Sequence, residues 1–300
     1  METGWISFAL GAAMFTLMFG MGLTLGAGDF RRIAANPRAT IVGTVLQLLV
    51  MPIVGIALAN FFDLPPILSA GIVIVAACPG GMFSNMYVHL ARGHTALSIT
   101  LTASATLVTL FTLPLWVQFA LARFPTGGAA PIEMPVLETA LRLGTLTVLP
   151  VLLGMSVRHK WPAMAIWEKK LSLASAIVIV GGMTIEGSSR PEIPIDDFIT
   201  SIAPAAGFAL AAILVGVTLP PLFRITARDT VTIAVELVVK NTLLGIVLVG
   251  QILDFEAVLP ILAFAIFQTP GGILLLVGWR LLEKRGVLGR SEKSDRAISS

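Results

Sequence analysis

The chain is short of charge: Asp, Glu, Lys and Arg together make up 12% of its 300 residues. Soluble domains carry about 25%, so these groups are too few to cover a folded body with a wetted surface. Cysteine occurs once, as Cys78, which excludes an internal disulfide and a cysteine-based metal cluster; the residue is expected to be a small buried one. The hydrolase signatures HExxH and GxSxG are missing, and no paired aspartates lie inside an apolar run. Aspartates fall in loops or at helix ends, so an intramembrane enzyme is disfavoured and no catalytic residue is expected. The N-terminus, METGW, lacks a basic stretch ahead of its apolar run, and no small-residue cleavage site follows. Trp5–Leu25 is therefore expected to be a retained membrane helix, not a signal peptide. The net charge of +3 gives no reason to expect a nucleic-acid partner.

What is abundant is apolar. Hydrophobic residues reach 56%, and the mean hydropathy is +0.92. Apolar runs bounded by charged or proline-containing breaks recur along the whole length, the pattern of an all-α polytopic membrane protein. Nine helices are expected, at roughly 5–25, 38–60, 66–91, 94–121, 134–157, 170–188, 198–223, 229–251 and 256–282. Their connections are short, which makes 1–282 a single transmembrane unit in the lipid bilayer and 283–300 a polar tail.

Basic residues orient the unit. Alternate segments hold Arg31, Arg32, Arg38, Arg92, Arg158, Lys160, Lys169, Lys170, Arg224, Arg228 and the six basic residues from Arg280 to Arg296, which is 16 of the 20. The opposite loops hold only Arg123 and Arg190, while Arg142 and Lys240 lie inside helices. The expectation is a multi-pass protein of the cell membrane with a cytoplasmic C-terminus and, for nine helices, an extracytoplasmic N-terminus. Arg142, four residues after Glu138, is expected to snorkel or pair locally.

Two helices are unusual. The third has CPGGMFSN (Cys78–Asn85) at its centre, where a proline without an N–H and two glycines resist helical order. The eighth contains ELVVKN (Glu236–Asn241), a carboxylate and an ammonium inside an apolar run. Each such charge costs roughly 2.5–3.5 kcal/mol on insertion scales, so it is seldom there without a use. Short fragments also repeat: Thr24 of GLTL and Thr184 of GMTI are 160 residues apart, and Asn85 and Asn241 are 156 apart. An offset that covers five helices makes two copies of opposite orientation. Inverted copies, each with a broken helix, are the signature of a secondary transporter, because free backbone groups at mid-membrane need a cavity or an ion.

FGMGLTL near Phe19, LQLLVMP (Leu46–Pro52), CPGGMFSNMYVHLARGHTALS (Cys78–Ser98) and TVTIAVELVVKN (Thr230–Asn241) resemble the bile acid:sodium symporter family over nearly the whole chain. The resemblance implies an inverted-repeat transporter fold with panel and core domains, here in a nine-helix form lacking the family's first helix. The panel would comprise about 5–25 and 134–188, the core about 38–121 and 198–282, with the two broken helices crossing. Carried over by motif, a first sodium site falls on Ser84, Asn85, Ser98, Thr102 and Glu236, all oxygen-bearing residues as a hard cation requires. Ser98 and Thr102 are four apart and share a helix face; alternatively, such hydroxyls merely bond their own helix carbonyls.

A second family sodium site uses Gln47, Glu236 and a glutamine whose position here is Lys240. An ammonium there would repel sodium or take its place. The other reading is a buried i,i+4 pair of Glu236 with Lys240. Asn85 and Asn241, together with Gln268 and Thr269 just before PGG, are candidates for the substrate cavity; asparagine at a break also serves as a helix cap. His89 and His94, which flank Arg92, are expected to be simply solvated. The expected function is alternating-access transport of a small organic anion, bile-acid-like or a small carboxylate, coupled to sodium through one site. No cofactor beyond the ion and no obligate protein partner is implied. A proton-coupled or sodium-independent carrier in which Lys240 replaces the second sodium is the alternative, and a channel is disfavoured.

Overall fold

A computed structural model of the chain describes residues 3–26, 28, 37–125, 136–188 and 195–284. Among these there are helices and no strand, as the hydropathy pattern requires. Among the described residues the long helices form nine segments, two of them broken. In chain order they are α1 (Thr3–Thr24), α2 (Pro37–Phe61), α3 (Pro66–Ala77) continued after a break by α4 (Met82–Leu90), α5 (Thr95–Arg123), α6 (Val136–Lys160), α7 (Glu168–Ser188), α8 (Ile195–Leu222), α9 (Ala227–Val238) continued after a break by α10 (Thr242–Ile252), and α11 (Leu259–Lys284). The last helix runs beyond the expected end at 282, so the expected tail starts inside it; residues 285–300 lie outside the described residues. The side chains of Glu138 and Arg142 also lie outside them.

The polarity of a soluble protein is reversed. Phe8, Phe111, Leu115, Ile177 and Leu222 are exposed, while Glu236 and Lys240 are 1% and 2% exposed. Four helices, α2, α5, α8 and the last with its preceding turn (Phe255–Lys284), are long and apolar enough to cross a membrane. The chain is an all-α membrane protein.

Close approach sets the packing of α1. A β-carbon on Gly22 would collide with the Val151 carbonyl of α6, and one on Gly154 with the Phe19 carbonyl of α1. Bare glycines thus let the two backbones touch, the usual device of helix contact in lipid. Helix α1 packs on α6 and α7, α8 packs on α11 and α9, and α3 packs on α2 and α5.

Inside α2 the helix widens to a π turn over Leu46–Val50. Pro52 follows; it has no N–H to offer the Leu48 carbonyl four residues earlier. The Trp116 indole of α5 donates to that carbonyl at 2.9 Å. A π turn ahead of a proline is a common way to relieve its clash, and here it carries Gln47.

The two breaks meet. Gly80 pairs with Lys240 as an isolated antiparallel bridge. Gly81 N donates to Val239 O at 2.8 Å, and Asn241 N donates to Pro79 O at 2.9 Å. Four backbone groups that neither helix can use are thereby satisfied by the other break.

Candidate functional site

Glu236, one turn before the second break, is the centre of the polar interior. Its carboxylate is reached from α4 by Ser84, whose Oγ lies 2.8 Å from Oε1, and from α5 by Ser98, whose Oγ lies 2.5 Å from Oε1. Thr102, one turn further along α5, lies 3.3 Å from Oε1 and 3.2 Å from Oε2. Asn85 joins through Ser98, its Oδ1 lying 2.8 Å from the Ser98 Oγ. All five residues expected at the first site therefore converge. The expectation that Ser and Thr only bond their own helices is true in part, since Ser84 also reaches Gly81 O at 2.7 Å and Thr102 reaches Ser98 O at 3.1 Å.

The hydrogen count of this cluster matters. A hydroxyl has a single hydrogen to donate, yet each of the three faces two or more acceptors. Ser84 is offered Glu236 and Gly81 O, Ser98 is offered Glu236 and Asn85 Oδ1, and Thr102 is offered Glu236 and Ser98 O. The cluster offers more oxygen acceptors than hydroxyl hydrogens, a donor set that a hard cation could use.

The other edge of the carboxylate rests on the first break. Glu236 Oε2 leans over the Cα of Gly80, where a β-carbon would collide with it, and the same β-carbon would sit 3.2 Å from Gln47 Nε2. Gln47 is fully buried, and neither its Oε1 nor its Nε2 has a hydrogen-bond partner. Gln47 and Glu236 thus share the space above Gly80.

Lys240 is placed differently from the i,i+4 expectation. Helix α9 ends at Val238, so residues 236 and 240 do not share a helix face, and no ion pair forms between them. Lys240 Nζ instead donates to the carbonyls of Gln47 (3.3 Å), Ala76 (3.0 Å) and Cys78 (3.0 Å). Two of these lie at the C-terminal end of α3, where the helix dipole and the unused carbonyls favour a cation. Cys78 is buried and donates to Ile74 O.

Asn241 caps α10: its Oδ1 accepts from Leu244 N at 3.1 Å, while its Nδ2 donates to Met21 Sδ of α1 at 3.5 Å. Gln268 donates to Thr242 Oγ1 at 3.2 Å, and its own buried Oε1 has no partner. Asn241 and Gln268 therefore flank the start of α10, whereas Thr269 is exposed and shares no hydrogen bond with them. A small apolar cleft lined by Leu10, Ile179, Ile246 and Leu253 contains none of these residues.

A sequence model described as the Sodium Bile acid symporter family matches residues 12–188. The chain belongs to this family. Relatives extend the similarity past residue 188. The uncharacterized sodium-dependent transporter YocS of Bacillus subtilis (strain 168) is 26% identical over 291 residues, covering 95% of this chain and 87% of YocS. The ileal sodium/bile acid cotransporter of Homo sapiens is 30% identical over 245 residues, covering 79% of this chain and 67% of that protein. The probable sodium/metabolite cotransporter BASS1 of Arabidopsis thaliana chloroplasts is 28% identical over 237 residues, of which this chain spans 57% of the relative's length. The family is one of transporters, and the chain is a multi-pass membrane transporter, not an enzyme.

Three features escaped the sequence. Gly80 is more than a helix breaker, since only glycine leaves room for the carboxylate. Thr242 holds Gln268, though nothing in its apolar run marks it. His94 was expected to be solvated like the exposed His89, but its Nδ1 lies 2.7 Å from Asp229 Oδ1. The signal for that contact was the presence of both residues in the short polar segments that flank the site motifs.

Proposed function

We propose that the chain is a secondary active transporter of an organic anion that works by alternating access and couples to one sodium ion at Glu236. The observation that carries this reading is the excess of oxygen acceptors over hydroxyl hydrogens around that buried carboxylate. Ser84, Asn85, Ser98 and Thr102 supply neutral oxygens, and Glu236 supplies the charge that desolvation of the ion demands. The N-termini of α4 and α10 both start at the crossing, and the positive ends of their helix dipoles favour an anion. Asn85, Asn241, Gln268 and Thr269 belong to the cavity of that anion in this reading. The bound cation then offsets the substrate's charge, which is the simplest coupling between them.

Lys240 limits the stoichiometry. Its ammonium, held by three carbonyls beside Gln47 and Glu236, occupies the region of a second cation, so one sodium couples. The same ammonium favours a second reading in which it supplies all the positive charge required and transport is proton-coupled or independent of sodium.

In this reading α1, α6 and α7 form the panel, supported by the packing of α1 on α6 and α7, and the remaining segments form a core of two inverted copies whose broken helices meet at Gly80 and Lys240. The protein lies in the cell membrane with an extracytoplasmic N-terminus and a cytoplasmic C-terminus, which reporter fusions at both ends test. Its substrate class is that named for its relatives, bile acids or smaller metabolites. Uptake of bile acids and small carboxylates by proteoliposomes, with and without an inward sodium gradient, decides the coupling. Stimulation by sodium is expected. Equal uptake in both conditions would establish the second reading.

A further inference from the structure

We propose that His94 and Asp229 are positioning residues that hold α5 against α9 and thereby set the oxygen geometry around Glu236. The inference rests on the reading of that cluster as a cation site. Ser98 and Thr102 stand on α5 and Glu236 stands on α9, so the site exists only while these two helices keep their relative rotation and register. Ligand groups must hold position within about half an ångström to serve a site, and hydroxyl contacts with a carboxylate at the site itself cannot enforce that when an ion competes for the same oxygens.

The clasp lies two turns from Glu236 on α9 and one turn from Ser98 on α5. His94 is the N-cap residue of α5, and Asp229 is in the first turn of α9. The imidazole Nδ1 and the Asp229 carboxylate are 2.7 Å apart. The main chain of His94 is tied as well: its N–H donates to Thr232 Oγ1 at 2.8 Å, and its carbonyl accepts from Ser98 N at 3.0 Å. Thr232 in turn donates to Arg228 O, and Arg228 Nη2 donates to Gly93 O at 3.3 Å. Asp229 is itself fixed, its N–H donating to Thr226 Oγ1, the cap of α9. Down the seam, the contacts His94–Asp229, His94–Thr232, Ser98–Glu236 and Thr102–Glu236 pair the same face of α5 with the same face of α9.

The turn before α5 is shaped to this seat. Arg92 has φ +57°, which swings the chain back, and a β-carbon on Gly93 would lie 2.9 Å from Thr232 Oγ1. The turn carries α4 at its other end, so the clasp also anchors the half-helix that bears Ser84 and Asn85. A helix-terminal charge alone would not need a histidine aimed at it from another helix.

The test uses the purified full-length protein in detergent and reads its thermal midpoint as sodium chloride replaces potassium chloride at constant ionic strength. The parent is stabilised by sodium, and Glu236→Ala abolishes that response. His94→Ala and Asp229→Ala raise the sodium concentration for half of the stabilisation by about three- to tenfold, the effect of losing a charged hydrogen bond in part. The double variant shows no further rise, and His94→Asn, whose amide nitrogen falls where Nδ1 was, returns most of the affinity. A sodium titration of His94→Ala that superimposes on the parent's, with only the sodium-free midpoint lowered, overturns the clasp and leaves the cation site standing. Additive single effects overturn it too. A parent without any sodium response overturns the cation reading and this inference together.

Discussion

The two helix breaks, 78–81 and 239–241, do the same geometric task with different chemistry. The first is made of residues unfit for a helix interior, Pro79, Gly80 and Gly81. The second has neither glycine nor proline between Arg228 and Leu244, and Val239 leaves the helix with φ −95° and ψ 87°. Its residues leave because better partners lie outside: Lys240 finds the carbonyl end of α3, and Asn241 caps α10. The first break has no polar side chain of its own to cap its second half-helix, as Gly81 precedes α4. One break is written by what its residues forbid, the other by what its residues bind. The charged break also supplies the partners that the bare one lacks, and the bare one supplies the space that Glu236 requires.

Substitutions at four positions test this division of labour. Removing the carboxylate has the largest expected effect: Glu236→Ala loses sodium-stimulated uptake to background while the protein still reaches the membrane, measured by uptake beside surface expression. Full sodium-stimulated uptake in that variant would remove Glu236 from the site.

Lys240→Gln changes the character of coupling. Without the tethered ammonium, a second ion gains a place beside Gln47 and Glu236, and the Hill coefficient for sodium rises from about one towards about two, the number of sites setting its ceiling. Sodium-activation curves of both proteins read this. A parent that already shows two-ion cooperativity breaks the assignment, and destabilisation without a steeper response would reduce Lys240 to a helix cap.

Gly80→Ala probes the bare break. Its new methyl overlaps Glu236 Oε2, so the carboxylate or the crossing must shift, at about 1–3 kcal/mol of stability. Denaturation of the purified protein measures the loss, and weaker sodium stabilisation of the variant is expected with it. An unperturbed variant would mean that the two breaks do not touch as described.

The smallest effect belongs to the cap. Asn241→Ala is expected to cost about 1 kcal/mol, and Asn241→Ser much less, because the hydroxyl accepts from Leu244 N in its place. Equal losses in the two variants, read from thermal midpoints, would move the role of Asn241 from capping to its contact with Met21.

The first break was legible because Pro79 and the two glycines act locally, whatever surrounds them. Glu236 was legible as a group needing partners, since a charge in an apolar run is costly anywhere, and the family motif supplied their names. Ser84, Ser98 and Thr102 could be listed but not aimed; their hydroxyls reach Glu236 across 152, 138 and 134 residues of chain. The spacing of Glu236 and Lys240 misled, because i,i+4 reasoning assumes an unbroken helix and α9 stops between them. His94 misled for a related reason: its partner, Asp229, lies 135 residues away in the chain.

The membrane class, the segments near their final bounds and the break at Pro79 were determined by the sequence itself, because hydropathy, chain length across a bilayer and the proline ring act over windows of a few to twenty residues. The second break, the partner of Lys240 and the seam between α5 and α9 were decided by tertiary structure alone. Each is a choice among competing hydrogen-bond partners, and in a low-dielectric interior that choice goes to whichever carbonyl, hydroxyl or carboxylate the packing of distant helices brings within about 3 Å.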